Sequence, residues 1–401
     1  MANVSSSNGL EKRPKLRFPG FDEPWKATAF GDIVHEFSNR TKVEDEDVLL
    51  SAAIEGMFLN TELFGHQRGA SNKGYKKIKY GTMVLSTQNL HLGNANVNQR
   101  FEHGMVSPAY KTYDISGCSI DLIAQWIKSD AAKRFFYNAT TVGASVCRRN
   151  VEWDTLYEQS LFLPSLPEQE KIANLLTLLS NRIEKQRQLI IALKKYKRGV
   201  MQSIFRHSSQ DGWNTVKLGT IFKKVSRRNT NGGIKNVITN SAEYGLIPQR
   251  DFFDKDIAVD GNTSNYYVID EGDFVYNPRK SNTAPYGPFN RYTLKEKGII
   301  SPLYTCLVLQ ADINPAYLAW YFKSDAWYRY IYDNGSQGVR HDRVSMTDDL
   351  LMGIPVSFPV ISKQRKIAEL LDAIEYRQSV TQSEYDMMIK LRNGFMQQLF
   401  T

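Results

Sequence analysis

The sequence predicts an α+β protein with two mixed α/β units, each followed by one long helix, and with the two helices packed on each other. Three observations predict it. A segment of some forty residues occurs twice without a gap, both copies carry a narrow apolar stripe, and short β-rich runs punctuated by turns precede each copy.

Shifting the 401-residue chain by 195 positions lays Pro164–Phe205 on Pro359–Phe400. Gln169/Gln364, Lys171/Lys366, Ile172/Ile367, Ala173/Ala368, Leu175/Leu370 and Leu176/Leu371 are identical. So are Arg182/Arg377, Gly199/Gly394, Met201/Met396, Gln202/Gln397 and Phe205/Phe400. Within the first copy, alternate steps of four and three select Ile172, Leu176, Leu179, Ile183, Ile190, Leu193, Val200 and Ile204, with Gln186 and Lys197 as the polar exceptions. The second copy selects Ile367, Leu371, Ile374, Tyr385, Met388, Phe395 and Leu399, interrupted by Gln378, Thr381 and Arg392. Such spacing makes a seam that seeks a partner helix, as in a coiled coil. At 1.5 Å per residue each helix is roughly 60 Å long. Two helices lying only against their own domains would not need that length, so the stripes are expected to face each other. Their polar positions would fix the alignment at some cost in stability.

The likeness continues outside the helices. Trp25 with Phe30-Gly31-Asp32-Ile33 resembles Trp213 with Leu218-Gly219-Thr220-Ile221, at an offset of 188. Ile78, Gly81 and Val84 match Ile269, Gly272 and Val275; Gly104 to Tyr110 match Gly298 to Tyr304; Lys128-Ser129-Asp130 match Lys323-Ser324-Asp325. The offset drifts from 188 to 195, so loops of different length separate fixed anchors. Strands are expected in GTMVLST (81–87), DFVYNP (273–278) and LYTCLVL (303–309), and one helix in each unit, over 120–138 and 315–333. The aromatics Tyr317, Trp320, Tyr321, Phe322, Trp327, Tyr328, Tyr330 and Tyr332 read as core rather than as a base-stacking platform.

Composition sets limits on chemistry. The net charge is +9 and the pI near 9.2, which permits a polyanionic partner. Cys118, Cys147 and Cys306 are far apart, which argues against a disulfide framework or a cysteine zinc site and suits a reducing cytoplasm. No apolar run approaches the roughly 18 residues of a membrane span, and the start, MANVSSSNGLEKRPK, has no apolar core for a secretory signal. No G-x-x-x-x-G-K-[ST] phosphate loop, glycine-rich nucleotide turn or H-E-x-x-H spacing occurs. Asn277-Pro278-Arg279-Lys280 lacks the second proline and the aromatic of the N-P-P-aromatic methyltransferase motif. A non-catalytic chain is expected, without a metal or cofactor of its own.

Basic and amide side chains gather instead in loops after the β anchors. The first unit offers Gln88, Asn89, His91, Arg148 and Arg149; the second offers Arg279, Lys280, Asn282, Arg291, Arg340, His341 and Arg343. Arg and Lys can read guanine edges, and Asn and Gln adenine edges, in the major groove. The same groups also grip phosphates or simply stay solvated. The first long helix carries nine Lys/Arg against three Asp/Glu between Glu168 and Arg206, which reads equally well as a solvated face.

The run P-x-L-R-F-P-G-F at Pro14–Phe21, the Trp25 anchor, the Q-x-K-I-A-x-L-L opening of each long helix and its K-x-x-x-G-x-M-Q ending carry a likeness over nearly the whole chain. In these residues it resembles the specificity subunit of Type I restriction-modification systems. The resemblance implies target-recognition domains at 1–165 and 207–360, separated by spacer helices at 166–206 and 361–401. These helices would form an antiparallel coiled coil with pseudo-two-fold symmetry. It further implies a bipartite, asymmetric double-stranded DNA target, two adenine-methyltransferase subunits and restriction/translocase subunits as partners. S-adenosylmethionine, ATP and Mg would then belong to those partners. A duplicated protein-interaction scaffold that reads no DNA is the other reading the sequence leaves open.

Overall fold

The computed structural model describes residues 11–66, 71–142, 149–206, 212–251, 263–334 and 342–400. Two compact units emerge, Met1–Gln188 with Gln382–Thr401, and Leu189–Thr381. The long helices are Leu166–Arg206 and Ile361–Phe400, of 41 and 40 residues. Each unit therefore holds the start of one long helix and the end of the other. Pro167 falls in the first turn, where backbone N–H groups have no helical acceptor to lose.

Each unit is built on a four-stranded antiparallel sheet with the same order. In the first it runs Val34–Phe37, Tyr110–Ile115, Met83–Ser86, Ala95–Val97; in the second, Phe222–Val225, Thr305–Leu309, Phe274–Tyr276, Phe289–Arg291. The smaller ladders are duplicated as well. Lys76–Lys79 pairs with His103–Val106 as Tyr267–Ile269 pairs with Gly298–Ile300. Trp25–Ala29 pairs with Ser160–Leu163 as Asn214–Lys217 pairs with Pro355–Phe358. The repeated Gly104 and Gly298 are close-approach positions: a Cβ would collide with the side chains of Leu50 and Ile238, respectively.

The helix expected over 120–138 is two helices, Ile120–Trp126 and Asp130–Asn138, and that over 315–333 is also two, Pro315–Lys323 and Tyr328–Asn334. Apolar periodicity passes through both breaks and conceals them. In the first unit Ser129 ends the continuity by turning its hydroxyl to accept from the Ala132 N–H, as an N-cap does. The aromatics do form core: Tyr317, Trp320, Tyr321, Phe322 and Trp327 are buried, and Phe289 stacks on Phe322 with centroids 3.9 Å apart. Only Tyr332 of that group is well exposed.

The seam behaves as its spacing requires. All ten positions on each helix, including Leu179, Leu193, Tyr385, Met388 and Phe395, are buried or half-buried. In the first unit Ile172 and Leu176 share a core with Met396 and Leu399, while further along Gln186 donates to Glu384 at 2.7 Å. In the second, Phe205 shares a core with Ile367 and Leu371, and Lys197 pairs with Glu375. Contacts that advance along one helix retreat along the other, so the helices run antiparallel within each unit. Thr381, fully buried on the seam, donates to Arg377 O at 2.7 Å and so satisfies its hydroxyl within its own helix.

The repeated glutamines tie these parts together. Gln169 Oε1 accepts from the Ser119 N–H at 2.8 Å and its Nε2 donates to Pro164 O at 2.9 Å. Gln364 makes the same two bonds, with the Asn314 N–H and Pro359 O, both at 2.8 Å. Ser119 and Asn314 are themselves N-caps of the helices beginning at Ile120 and Pro315. Both glutamines are buried, so losing either leaves a buried C=O and a half-buried N–H without this partner. We predict that Gln169→Met and Gln364→Met each cost about 2–4 kcal/mol, read as a lower urea midpoint, while Gln88→Ala leaves it unchanged. A Gln169→Met chain as stable as the parent would contradict this role.

Candidate nucleic-acid interface

In the second unit the chain after Phe274–Tyr276 meets the segment before the Asp348–Met352 helix. The Val344 N–H donates to Pro278 O and the Lys280 N–H to Asp342 O, both at 2.9 Å. Arg279 and Arg343 then face each other across an antiparallel bridge. Arg279 Nε and Arg343 Nε each lie 3.9 Å from Asp342 Oδ2, so two guanidinium groups share one carboxylate. Exposed pairs at that distance hold the side chains only weakly. Tyr304 is close by: burial pushes its phenol up, and Arg279 and Arg343 pull the other way. Asn282 is exposed in the turn that Ser281 and Ala284 close. Arg291 stands apart, half-buried on its strand opposite Phe274, its Nε buried without a hydrogen-bond partner among the described residues.

The first unit presents a different surface. Gln88 and Asn89 are exposed ahead of a single 3-10 turn, Leu90–Leu92, where His91 is half-buried. Arg149 is engaged elsewhere: Nε donates to Thr140 Oγ1 at 2.7 Å, Nη2 to Thr140 O at 2.6 Å, and the group lies 4.2 Å over the Tyr137 ring. Its guanidinium closes the hairpin of Thr140–Val142 with Arg149–Val151. Arg148, Arg340 and His341 lie outside the described residues. The candidates thus come together as Arg279–Lys280–Arg343 in one unit and Gln88–Asn89–His91 in the other.

A further scaffold pair that sequence reasoning missed, Asn96 and Asn290, stands at the same offset of 194 as Gly104 and Gly298. Asn96, opposite Val84, donates through Nδ2 to Ala53 O at 2.9 Å. Asn290, opposite Val275, donates to Ser241 O at 2.9 Å. Each fastens a hairpin, Leu50–Ala52 with Met57–Leu59 or Ile238–Ser241 with Gly245–Pro248, to the sheet. Lys128 adds to the first by donating to Ile54 O, Ala95 O and Asn96 Oδ1. The alternation Asn94-x-Asn96-x-Asn98 is the signal that could have marked one of them.

Among the described residues no group of three or more His, Cys, Asp and Glu is placed to hold a metal ion, and no helix is long and apolar enough to cross a membrane. Burial pushes the Cys118 and Cys306 thiols up to about 11 and about 12, away from the thiolate that nucleophilic chemistry needs. Guanidinium and amide groups on loops carried by a rigid sheet suit binding: bidentate donors for guanine edges or phosphate oxygens.

No family model matches the chain, and no curated protein matches it by sequence. Solved structures do resemble it. The Type-I restriction-modification system S subunit from M. genitalium matches with a TM-score of 0.55 at 14% identity, over 97% of this chain and 99% of that one. A chain from a type I R-M system, solved for the basis of its complex assembly and conformational transition, matches with a TM-score of 0.55 at 16% identity, over 95% and 98%. At such identities the likeness is one of fold. Along nearly its whole length, the chain has the fold of a Type I restriction-modification S subunit.

Proposed function

We propose that this chain is the DNA sequence-specificity subunit of a Type I restriction-modification complex. The observation that carries this reading is one scaffold made twice in the same register, from Gln169/Gln364 to Asn96/Asn290, beneath loops that differ. The fold likeness to an S subunit supports it. In this reading the domains are 1–165 and 207–360, the spacers 166–206 and 361–401. Each domain reads half of a bipartite, asymmetric double-stranded DNA target, and the helices set the gap between the halves. Two methyltransferase subunits methylate adenine at the target and restriction/translocase subunits cut unmodified DNA. The chain itself is not an enzyme. S-adenosylmethionine, ATP and Mg belong to the partners, and the complex works in the cytoplasm.

Arg279 and Arg343 are the assigned readers in the second domain. A bidentate contact to one base is worth about 1–3 kcal/mol of discrimination, whereas a phosphate contact lowers affinity for every sequence alike. Arg279→Ala and Arg343→Ala are therefore expected to relax the methylated motif at one position of one half. Uniformly weaker binding with a smaller salt slope would make them phosphate contacts instead.

Replacing 207–360 by the second domain of another such subunit changes one half of the methylated motif and leaves the other intact. A change in both halves would end the modular reading. Inserting seven residues, two turns, in register into both helices lengthens each by about 10 Å, or about three base pairs at 3.4 Å each. The gap in the methylated motif should widen accordingly; an unchanged gap removes the spacer role.

A further inference from the structure

In the unit of Met1–Gln188 with Gln382–Thr401, a cavity of about 590 Å³ opens between the stretch Lys128–Arg134 and the stretch Lys390–Gln397 of the second long helix. Arg134, Lys390 and Arg392 line it, against the one carboxylate of Asp130. Lys128 also borders it, but its ammonium is committed to Ile54 O, Ala95 O and Asn96 Oδ1. Arg392 occupies a half-buried seam position, and its Nε is buried with no hydrogen-bond partner among the described residues. A buried donor of that kind costs stability until an acceptor arrives.

The internal repeat identifies the missing acceptor. Arg392, Lys128 and Met396 correspond to Lys197, Lys323 and Met201, which line a smaller cavity of about 180 Å³ in the other unit. There the cation is met by the carboxylate of Glu375, which also lines that cavity. The position equivalent to Glu375 is Ser180. The first unit has the cation without the carboxylate, and its cavity is the larger of the two.

We propose that this cavity receives an acidic side chain of a partner protein, a carboxylate that takes the place Glu375 holds in the other unit. The protein's own pairing sets the ligand chemistry. A donor recessed on the helix seam is within reach of an extended side chain and not of a broad duplex backbone. The two units thus differ in docking: one is closed by its own glutamate, the other is completed in trans. This holds whether or not the chain reads DNA.

The test titrates the full chain into a fluorescein-labelled hexaglutamate peptide and follows anisotropy at roughly 0.15 M salt. Arg392→Gln and Ser180→Glu should each weaken binding by about tenfold or more, the second because it supplies the carboxylate internally. Ser180→Gln and Lys197→Gln should bind as the parent does. Ser180→Glu should also raise the melting temperature, which shows that its lost binding is not lost folding. The proposal is overturned if the parent does not bind, if Arg392→Gln and Ser180→Glu bind unchanged, or if duplex DNA displaces the peptide.

Discussion

Two buried glutamines, Gln169 and Gln364, fix how each long helix leaves its sheet. Each side chain bonds at once to the chain just before its helix and to the backbone N–H of the residue that caps a second helix, so the direction of one element is set by the other. A buried amide has few ways to satisfy both its donor and its acceptor, and this geometry does so twice. From that junction the apolar seam can begin in register at Ile172 and at Ile367. The antiparallel packing then follows from where each stripe finds its complement.

With the junction and core fixed, the loops are free to vary. The sheets are held by Gly104 and Gly298, which admit Leu50 and Ile238, and by Asn96 and Asn290, which fasten a hairpin to each. Leu50, Ile238, Asn96 and Asn290 are buried, whereas Gln88, Asn89 and Asn282 are exposed. In the proposed reading, stability and recognition therefore fall to different residues.

Much of the scaffold was legible in the sequence because duplication compares the chain with itself. Ile172, Leu176, Ile367 and Leu371 announced the seam through spacing alone, and all are buried. The helix breaks after Trp126 and Lys323 were not legible, because the apolar pattern runs through them and a cap is decided by one hydroxyl. Asn96 and Asn290 lie at the same offset of 194 as Gly104 and Gly298, with Gly93/Gly287 and Glu102/Glu296 around them, but a paired amide does not say which backbone it will fasten. Arg149 read as a reader from its position in a basic run, yet Thr140 and Tyr137 hold it. Loop side chains carry no periodicity, so only geometry separates a group that closes a hairpin from one that faces solvent.

In the proposed function this chain directs a partner methyltransferase to its target sequence. The most direct measurement co-expresses the two in a methylation-free host and maps N6-methyladenine by long-read sequencing, with and without this chain. The expected result is one split motif, methylated on both strands and lost when the chain is omitted. No motif, or a motif that persists without the chain, would contradict it.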